Sequence, residues 1–78
     1  MRSIMVRADW DDEAKVWVAT SSDIEGLVIE ADRIEDLGPK LQGAIADLIE
    51  LNGVEIEGAE VPIYLHADQV IKLAQVAA

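Results

Sequence analysis

Apolar and polar residues alternate along the first third of the chain, with the period of β-strands that bury one face. Between Ile4 and Trp10, the even positions are apolar and most odd positions are polar. After the acidic stretch DDEA, a second alternating run leads to Thr20, and a third apolar run, 27–29, follows Gly26. The polar stretch between the first two runs suits a hairpin loop. The pattern predicts three consecutive strands.

After Ala31 the apolar period lengthens to between three and four residues, which indicates a helix. Asp32 with Glu35 has capping-box spacing, and Asn52 with Gly53 is a credible end. A proline inside a helix costs about 3 kcal/mol. We therefore predict a short turn over 33–37 and a main helix from Pro39. The predicted buried stripe contains Ile34, Leu37, Leu41, Ala44, Ile45 and Leu48.

A last strand is predicted from Val61 to Leu65, where alternate residues are again apolar. Pro62 cannot donate to a sheet ladder, so this strand is expected at a sheet edge. From Ala67 the chain could form a short helix with Asp68 as its cap. We predict a two-layer α+β domain of order βββαβ over residues 1–66, then a C-terminal tail or short helix over residues 67–78.

Size and charge narrow the classes of function. A cysteine-free chain of 78 residues is near the size at which burial only just offsets chain entropy, so we expect a homodimer or higher homo-oligomer. No apolar run approaches a membrane span and no signal segment is visible, so we expect a cytoplasmic protein without a membrane partner. The net charge of -10 favours a basic protein partner and disfavours direct nucleic-acid binding. The alternative is that this charge only maintains solubility.

Residues suited to catalysis are sparse. The chain has no cysteine, and its single histidine, His66, is expected beyond the last strand, distant from Ser21 and Ser22. No phosphate-binding glycine loop is present. Asp9, Glu30 and Asp47 form the one plausible metal-binding trio, and we interpret them as solvated surface acids. We expect no enzyme activity, no catalytic residue, no cofactor and no metal.

A partner-binding surface is the remaining candidate. If Val16 and Val18 face the helix, Trp17 stands on the open face of the sheet beside Met5 and Val28, an apolar patch that a monomer should not expose. Acidic residues of the first turn and the outer side of the helix would surround it. The candidate partner-binding residues are Met5, Asp11, Asp12, Glu13, Trp17, Val28, Asp36, Asp47 and Glu50.

The first strands also carry a resemblance to a known family. The sequence WDDEAKVWVA, from Trp10 to Ala19, is followed by DIEGL, from Asp23 to Leu27, and then by Glu30-Ala31. This order resembles the N-terminal domain of HicB-like antitoxins, and most closely a short uncharacterised bacterial branch of that group. The resemblance covers residues from about 3 to 66 and implies a reduced ribonuclease-H-type fold.

The resemblance implies an antitoxin that covers the active site of a HicA-like toxin, a small basic RNA-cleaving protein. Many family members add a C-terminal DNA-binding segment, but the tail of this chain has Lys72 as its one basic residue, so operator binding is not expected. The expected function is therefore a non-enzymatic, acidic protein-binding module of antitoxin type. The alternatives are a stand-alone homo-oligomeric regulatory or ligand-binding domain, and metal-dependent nucleic-acid cleavage.

Overall fold

A four-stranded mixed sheet forms the centre of the computed structural model, which describes residues 1–76. The strands lie in the order β3-β2-β1-β4. The first three strands pair antiparallel as a meander, whereas β4 pairs parallel to β1. The predicted βββαβ order and the edge position of the last strand are confirmed. The strands are β1 (Ile4–Asp11), β2 (Val16–Thr20), β3 (Val28–Ala31) and β4 (Ile63–Asp68).

The helical segment follows β3 directly. A 3-10 turn over Ile34–Asp36 leads into α1, Leu37–Asn52, and Gly53 ends the helix in the left-handed conformation at φ 66°. The helix begins at Leu37, earlier than predicted. Pro39 is therefore the third helical residue, where the N–H group of any residue would lack an intrahelical partner, so the proline removes no helical hydrogen bond.

The predicted capping box at the start of the helix is wrong. The residues in the cap positions are Arg33 for the 3-10 turn and Asp36 for α1, and neither makes a side-chain capping hydrogen bond. Glu35 lies inside the 3-10 turn, and its carboxylate is 3.3 Å from the Arg33 guanidinium. The 3-10 turn shifts the α-helix downstream, so the spacing from Asp32 to Glu35 no longer spans a helix start.

The helix packs on one face of the sheet, which we call the inner face, and this contact forms the core. Alternate residues of β1 are buried here, and of the predicted helix stripe Leu37, Leu41 and Ile45 are buried while the other three residues are partly buried. Ile24 and Leu27, from the connection between β2 and β3, close the core at one end, with 1% and 3% of their surface exposed. The buried core residues are Ile4, Val6, Ala8, Ala19, Ile24, Leu27, Ala31, Leu37, Leu41 and Ile45.

The hairpin between β1 and β2 decides which side chains face the helix. Its register pairs Trp10 with Trp17 and Ala8 with Ala19. Directly opposed residues of antiparallel strands project to the same face of a sheet. Trp17 therefore lies on the inner face, where its ring meets that of Trp10 edge to face, at 5.5 Å between centroids and 62° between planes. The predicted position of Trp17 on the open face is wrong.

Beyond the end of β2, side chains of the following loop provide the hydrogen bonds to β1. β2 reaches only to Thr20, opposite Arg7, so the start of β1 lacks a strand neighbour on that side. The backbone N–H of Met5 donates to the Asp23 carboxylate at 2.8 Å, and the Ser21 hydroxyl donates to the Met5 carbonyl. The Asp23 N–H in turn donates to the Ser21 hydroxyl oxygen at 3.1 Å. These three hydrogen bonds fix the loop against β1.

The C-terminal part of the chain differs from its prediction. β4 begins after Pro62 and continues through His66 to Asp68, because each of its residues pairs with one in β1. Residues 69–76, which we call the tail, form neither helix nor strand. The predicted helix is therefore wrong over 69–76, and residues 77–78 of the predicted tail segment lie outside the described residues. The large side chains of the tail are 82–96% exposed, so burial does not stabilise a helix of this length.

Substituting Asp23 tests the loop anchor. Asp23→Ala removes the acceptor for the Met5 N–H, and we expect the free energy of unfolding to fall by about 1–2 kcal/mol. Urea unfolding measures this difference. Ser22→Ala, which changes an exposed neighbour, is the control and should leave the midpoint nearly unchanged. Equal midpoints for the two variants would contradict the anchoring role.

Substituting the two tryptophans tests the hairpin register. Trp17→Ala should destabilise the fold by about 2 kcal/mol, because it removes a half-buried ring from the inner face. A double-mutant cycle with Trp10→Ala should give a coupling of about 0.5–1.5 kcal/mol for the edge-to-face pair. Chemical unfolding of the four proteins supplies the cycle. A coupling near zero would show that the rings do not interact.

Candidate functional site

The face of the sheet turned away from α1, which we call the outer face, is covered by no helix or strand among residues 1–76. Because β1 buries its even residues, its odd residues project to this face, and the register extends it across all four strands. The outer face is formed by Met5, Arg7, Asp9, Val16, Val18, Thr20, Val28, Glu30, Tyr64, His66 and Asp68.

Apolar side chains lie at one end of the outer face. Met5 is directly paired with Tyr64 of β4, and these residues are 43% and 52% exposed. Val28 is 62% exposed and lies apart from them at the other sheet edge, in the row of Thr20 and Arg7. The predicted exposure of Met5 and Val28 is thus confirmed. Tyr64, on β4, supplies the large aromatic side chain that the prediction had assigned to Trp17.

Charged side chains occupy the other end of the outer face. The Arg7 guanidinium lies between two carboxylates, at 3.2 Å from Asp9 and 2.9 Å from Asp68. Glu30 is in the same row of the sheet as Asp9, because both pair with Val18. Two acids therefore hold the arginine and a third lies in the same row two strands away, so the face carries a net negative charge next to its apolar end.

The acids of the hairpin loop have structural partners. The Asp11 carboxylate accepts hydrogen bonds from the backbone N–H groups of Glu13 and Ala14, at 3.0 and 3.1 Å, and so shapes the turn. Hydrogen bonds from Lys15 and then from Trp10 hold the pKa of the Asp12 carboxyl below its usual value. Asp12 therefore stays ionised, and Asp11 serves the loop.

The remaining acids of the predicted partner surface lie on the other side of the molecule. Asp47 and Glu50 are exposed residues of α1, which covers the inner face. Asp36 lies just before α1, 3.5 Å from Arg33. The structure therefore brings Met5 and Val28 onto one surface, places Asp11, Asp12 and Glu13 at its end, and separates Trp17, Asp36, Asp47 and Glu50 from it.

A shallow depression on the outer face contains residues that the sequence had placed far apart. Ser21, Ser22 and His66 border it together with Met5 and Arg7. The pairing of Arg7 with His66 brings the histidine here, so its predicted position beyond the last strand is wrong. The Ser21 hydroxyl already donates to the Met5 carbonyl and accepts from the Asp23 N–H, so this group serves the loop.

The candidate metal trio is not assembled. Asp9 and Glu30 project from the outer face, whereas Asp47 lies on α1 across the thickness of the sheet. Within residues 1–76, no three acidic or histidine side chains are placed to share a metal ion. Over the same residues, no helix combines the length and the apolar character needed to cross a membrane.

Sequence reasoning missed Tyr64, Arg7 and His66 as residues of this face. The signal that could have found Arg7 is strand parity, since the odd residues of β1 project to the face opposite its buried even residues. For Tyr64 the signal is incomplete, because Ile63 and Leu65 are known to face inward only once β4 is paired with β1. For Trp17, the even number of residues in the predicted DDEA loop was the missed signal. An even loop places residues of opposite parity on the same face.

Comparison with known proteins gives a family and no activity. The family model described as Domain of unknown function (DUF1902) matches residues 3–76. A crystal structure of the hypothetical protein TTHA1013 from the extremely thermophilic bacterium Thermus thermophilus is similar, with 40% identity and a TM-score of 0.69. The similarity covers 95% of this chain and all of that one. No curated protein matches significantly. By the extent of these matches, the chain belongs to the DUF1902 family of domains of unknown function.

Proposed function

We propose that this protein is a non-enzymatic, acidic binding module whose outer sheet face holds a small basic protein. The observation that carries the proposal is an uncovered sheet face on which exposed apolar side chains adjoin a cluster of acids. Burial of Met5, Val28 and Tyr64 would supply the contact area, since aromatic and methionine side chains are enriched in protein interfaces. The surrounding acids would select a partner of opposite charge.

The charge of the whole molecule supports the same partner. A net charge of -10 attracts a basic protein over long distances and repels the phosphate backbone of DNA or RNA. The acids thus speed the encounter, and the apolar end of the outer face sets how long the complex lasts.

The more specific proposal is that the partner is a HicA-like toxin, and that the module acts as its antitoxin. Two features support it: the residue pattern from Trp10 to Ala31 resembles HicB-like antitoxins, and the element order is βββαβ. In this mechanism, the outer face would cover the active site of a small basic RNA-cleaving protein and exclude its substrate. The binding module needs no catalytic group of its own.

A second candidate function is a stand-alone regulatory domain that binds a small ligand. The depression bordered by Arg7 and His66 favours it, because these side chains could hold an anionic group. Arg7 is already held by Asp9 and Asp68, which lowers its value as an anion site. The neighbouring genes separate the candidates: a short reading frame for a basic protein beside this gene favours the antitoxin.

Salt and charge substitutions test the electrostatic part of the proposal. The product of such a neighbouring frame, purified and measured by surface plasmon resonance, should associate about 10-fold or more faster at low salt than at physiological salt. The double variant Asp9→Asn/Glu30→Gln should slow association more than Asp47→Asn/Glu50→Gln. Both remove the same charge, one from the outer face and one from α1. Double-stranded DNA should not bind at physiological salt.

Equal slowing by the two double variants would show that only total charge matters and would overturn the outer face as the site. An association rate that does not change with salt concentration would show that the acids serve only solubility.

An apolar substitution tests the contact itself. Tyr64→Ala should raise the dissociation rate of the same complex roughly 10-fold or more, the size expected for a central aromatic anchor. Leu51→Ala is the matched control, because Leu51 is 79% exposed on α1, away from the outer face. Stopped-flow or surface plasmon resonance supplies the rate. Similar rates for both variants would remove Tyr64 from the interface.

A further inference from the structure

We propose that two copies of this chain pair edge to edge through β4 and exchange their tails, each tail lying in the groove between α1 and β4 of the other copy. This interaction is separate from the proposed function, which uses the outer face. It follows from an exposed apolar segment, an unpaired sheet edge and an apolar groove, all of which lie near one another in such a pair.

The tail is apolar and its large side chains are exposed. Its large side chains Val70, Ile71, Leu73 and Val76 are 82–96% exposed. The radius of gyration is 15.6 Å, against about 11.5 Å expected for a compact chain of this length. The longest dimension, 58 Å, is more than twice the other two, 22 and 19 Å. Contiguous apolar surface of this kind marks an interaction site.

The groove is an uncovered part of the inner face. It lies where α1 leaves the edge strand, between Gly38, Leu41 and Gln42 of the helix and the residues Val61, Ile63 and Leu65. Leu65 pairs with buried Val6 and so faces the helix layer, yet 37% of its surface is exposed. None of the lining residues is charged, so the groove suits an apolar segment.

The sheet edge beside the groove is also unpaired. β4 bonds to β1 on one side and to no other strand among the described residues. Such an edge presents backbone donors and acceptors to a second strand. Pro62 lies just before β4 and therefore removes no donor from within it. The opposite edge strand, β3, has only four residues. It contains Glu30 and is followed by Asp32, and these two negative charges oppose pairing with a second copy.

The direction in which the tail leaves β4 determines which groove it can reach. The tail leaves β4 at Asp68 and passes Arg7, Asp9, Trp10 and Asp12, the end of the sheet opposite to Val61. To reach its own groove, the chain would have to reverse, but residues 69–76 contain no Gly, Pro, Asn or Asp to form a turn. Antiparallel pairing of two β4 strands about Ala67, which keeps both inner faces on the same side of the joined sheet, would instead bring Ile71 of one copy beside Ile63 of the second.

In that register, a tail that continues as a strand places Ile71 and Leu73 on the inner face beside Ile63 and Val61, which line the groove of the second copy. Its one charged residue, Lys72, is basic, whereas the rest of the chain is strongly acidic. Burial of the four large side chains would remove on the order of 400 Å² per tail. The two tails together would remove roughly 800 Å², to which the facing grooves and the paired β4 edges add. The family match extends through residue 76, so the tail is part of the shared domain.

Sedimentation equilibrium of the full chain tests the pairing. We expect a dimer at tens of micromolar. Leu73→Gln combined with Val70→Gln should weaken it at least about 100-fold, because these side chains would lose their apolar contact. The matched control is Val28→Gln, which changes an exposed apolar residue at the other sheet edge and should leave the dimer intact. A monomeric full chain, or a dimer unaffected by the tail substitutions, would overturn the proposal.

Disulfide trapping tests the exchange, since the chain has no native cysteine. Mixing Leu73→Cys with Gln42→Cys under mild oxidation should give a covalent heterodimer on a non-reducing gel. Mixing Leu73→Cys with Leu51→Cys, an exposed position of α1 outside the groove, should not. The double variant Leu73→Cys/Gln42→Cys should form covalent dimers. If it instead forms an internally bridged monomer, the tail occupies its own groove and the exchange is refuted.

Discussion

The pairing of β1 with strands on both sides is the interaction on which the rest of this structure depends. β1 bonds antiparallel to β2 and parallel to β4, and its alternate residues Ile4, Val6 and Ala8 are almost fully buried beneath α1. A parallel neighbour requires a crossover connection, and the helix provides it. The same helix therefore both buries the inner face and returns the chain to the sheet.

A single covering helix has a direct consequence for the outer face. The sheet has two faces, and within residues 1–76 a helix covers only the inner one, so the outer face must be compatible with water. The charged end, with Arg7 held by Asp9 and Asp68, meets that requirement. The apolar end, with Met5 and Tyr64, does not meet that requirement, and it is therefore the best candidate for a partner-binding site.

The helix is also too narrow for the sheet. It covers β1 and packs against β3, but it leaves Leu65 of β4 partly exposed. The groove, the free edge and the extended tail all arise at this one uncovered margin. A domain of this size, without a disulfide, gains stability from any contact that covers such a margin, and a second copy can do so symmetrically.

The sequence by itself determined the local elements, because each depends on residues close together in the chain. These elements are the alternation in β1, the apolar stripe of α1, the helix end at Gly53 and the edge position of the strand after Pro62. Tertiary structure decided the rest. Trp17 is on the inner face because the hairpin pairs it with Trp10, and the parity of β2 taken alone leaves both faces open. His66 and Asp68 belong to a strand because β1 pairs with them, whereas residues 69–76 stay irregular because no strand pairs with them. A pattern within one segment shows which residues share a face, but only pairing between distant segments determines what that face meets.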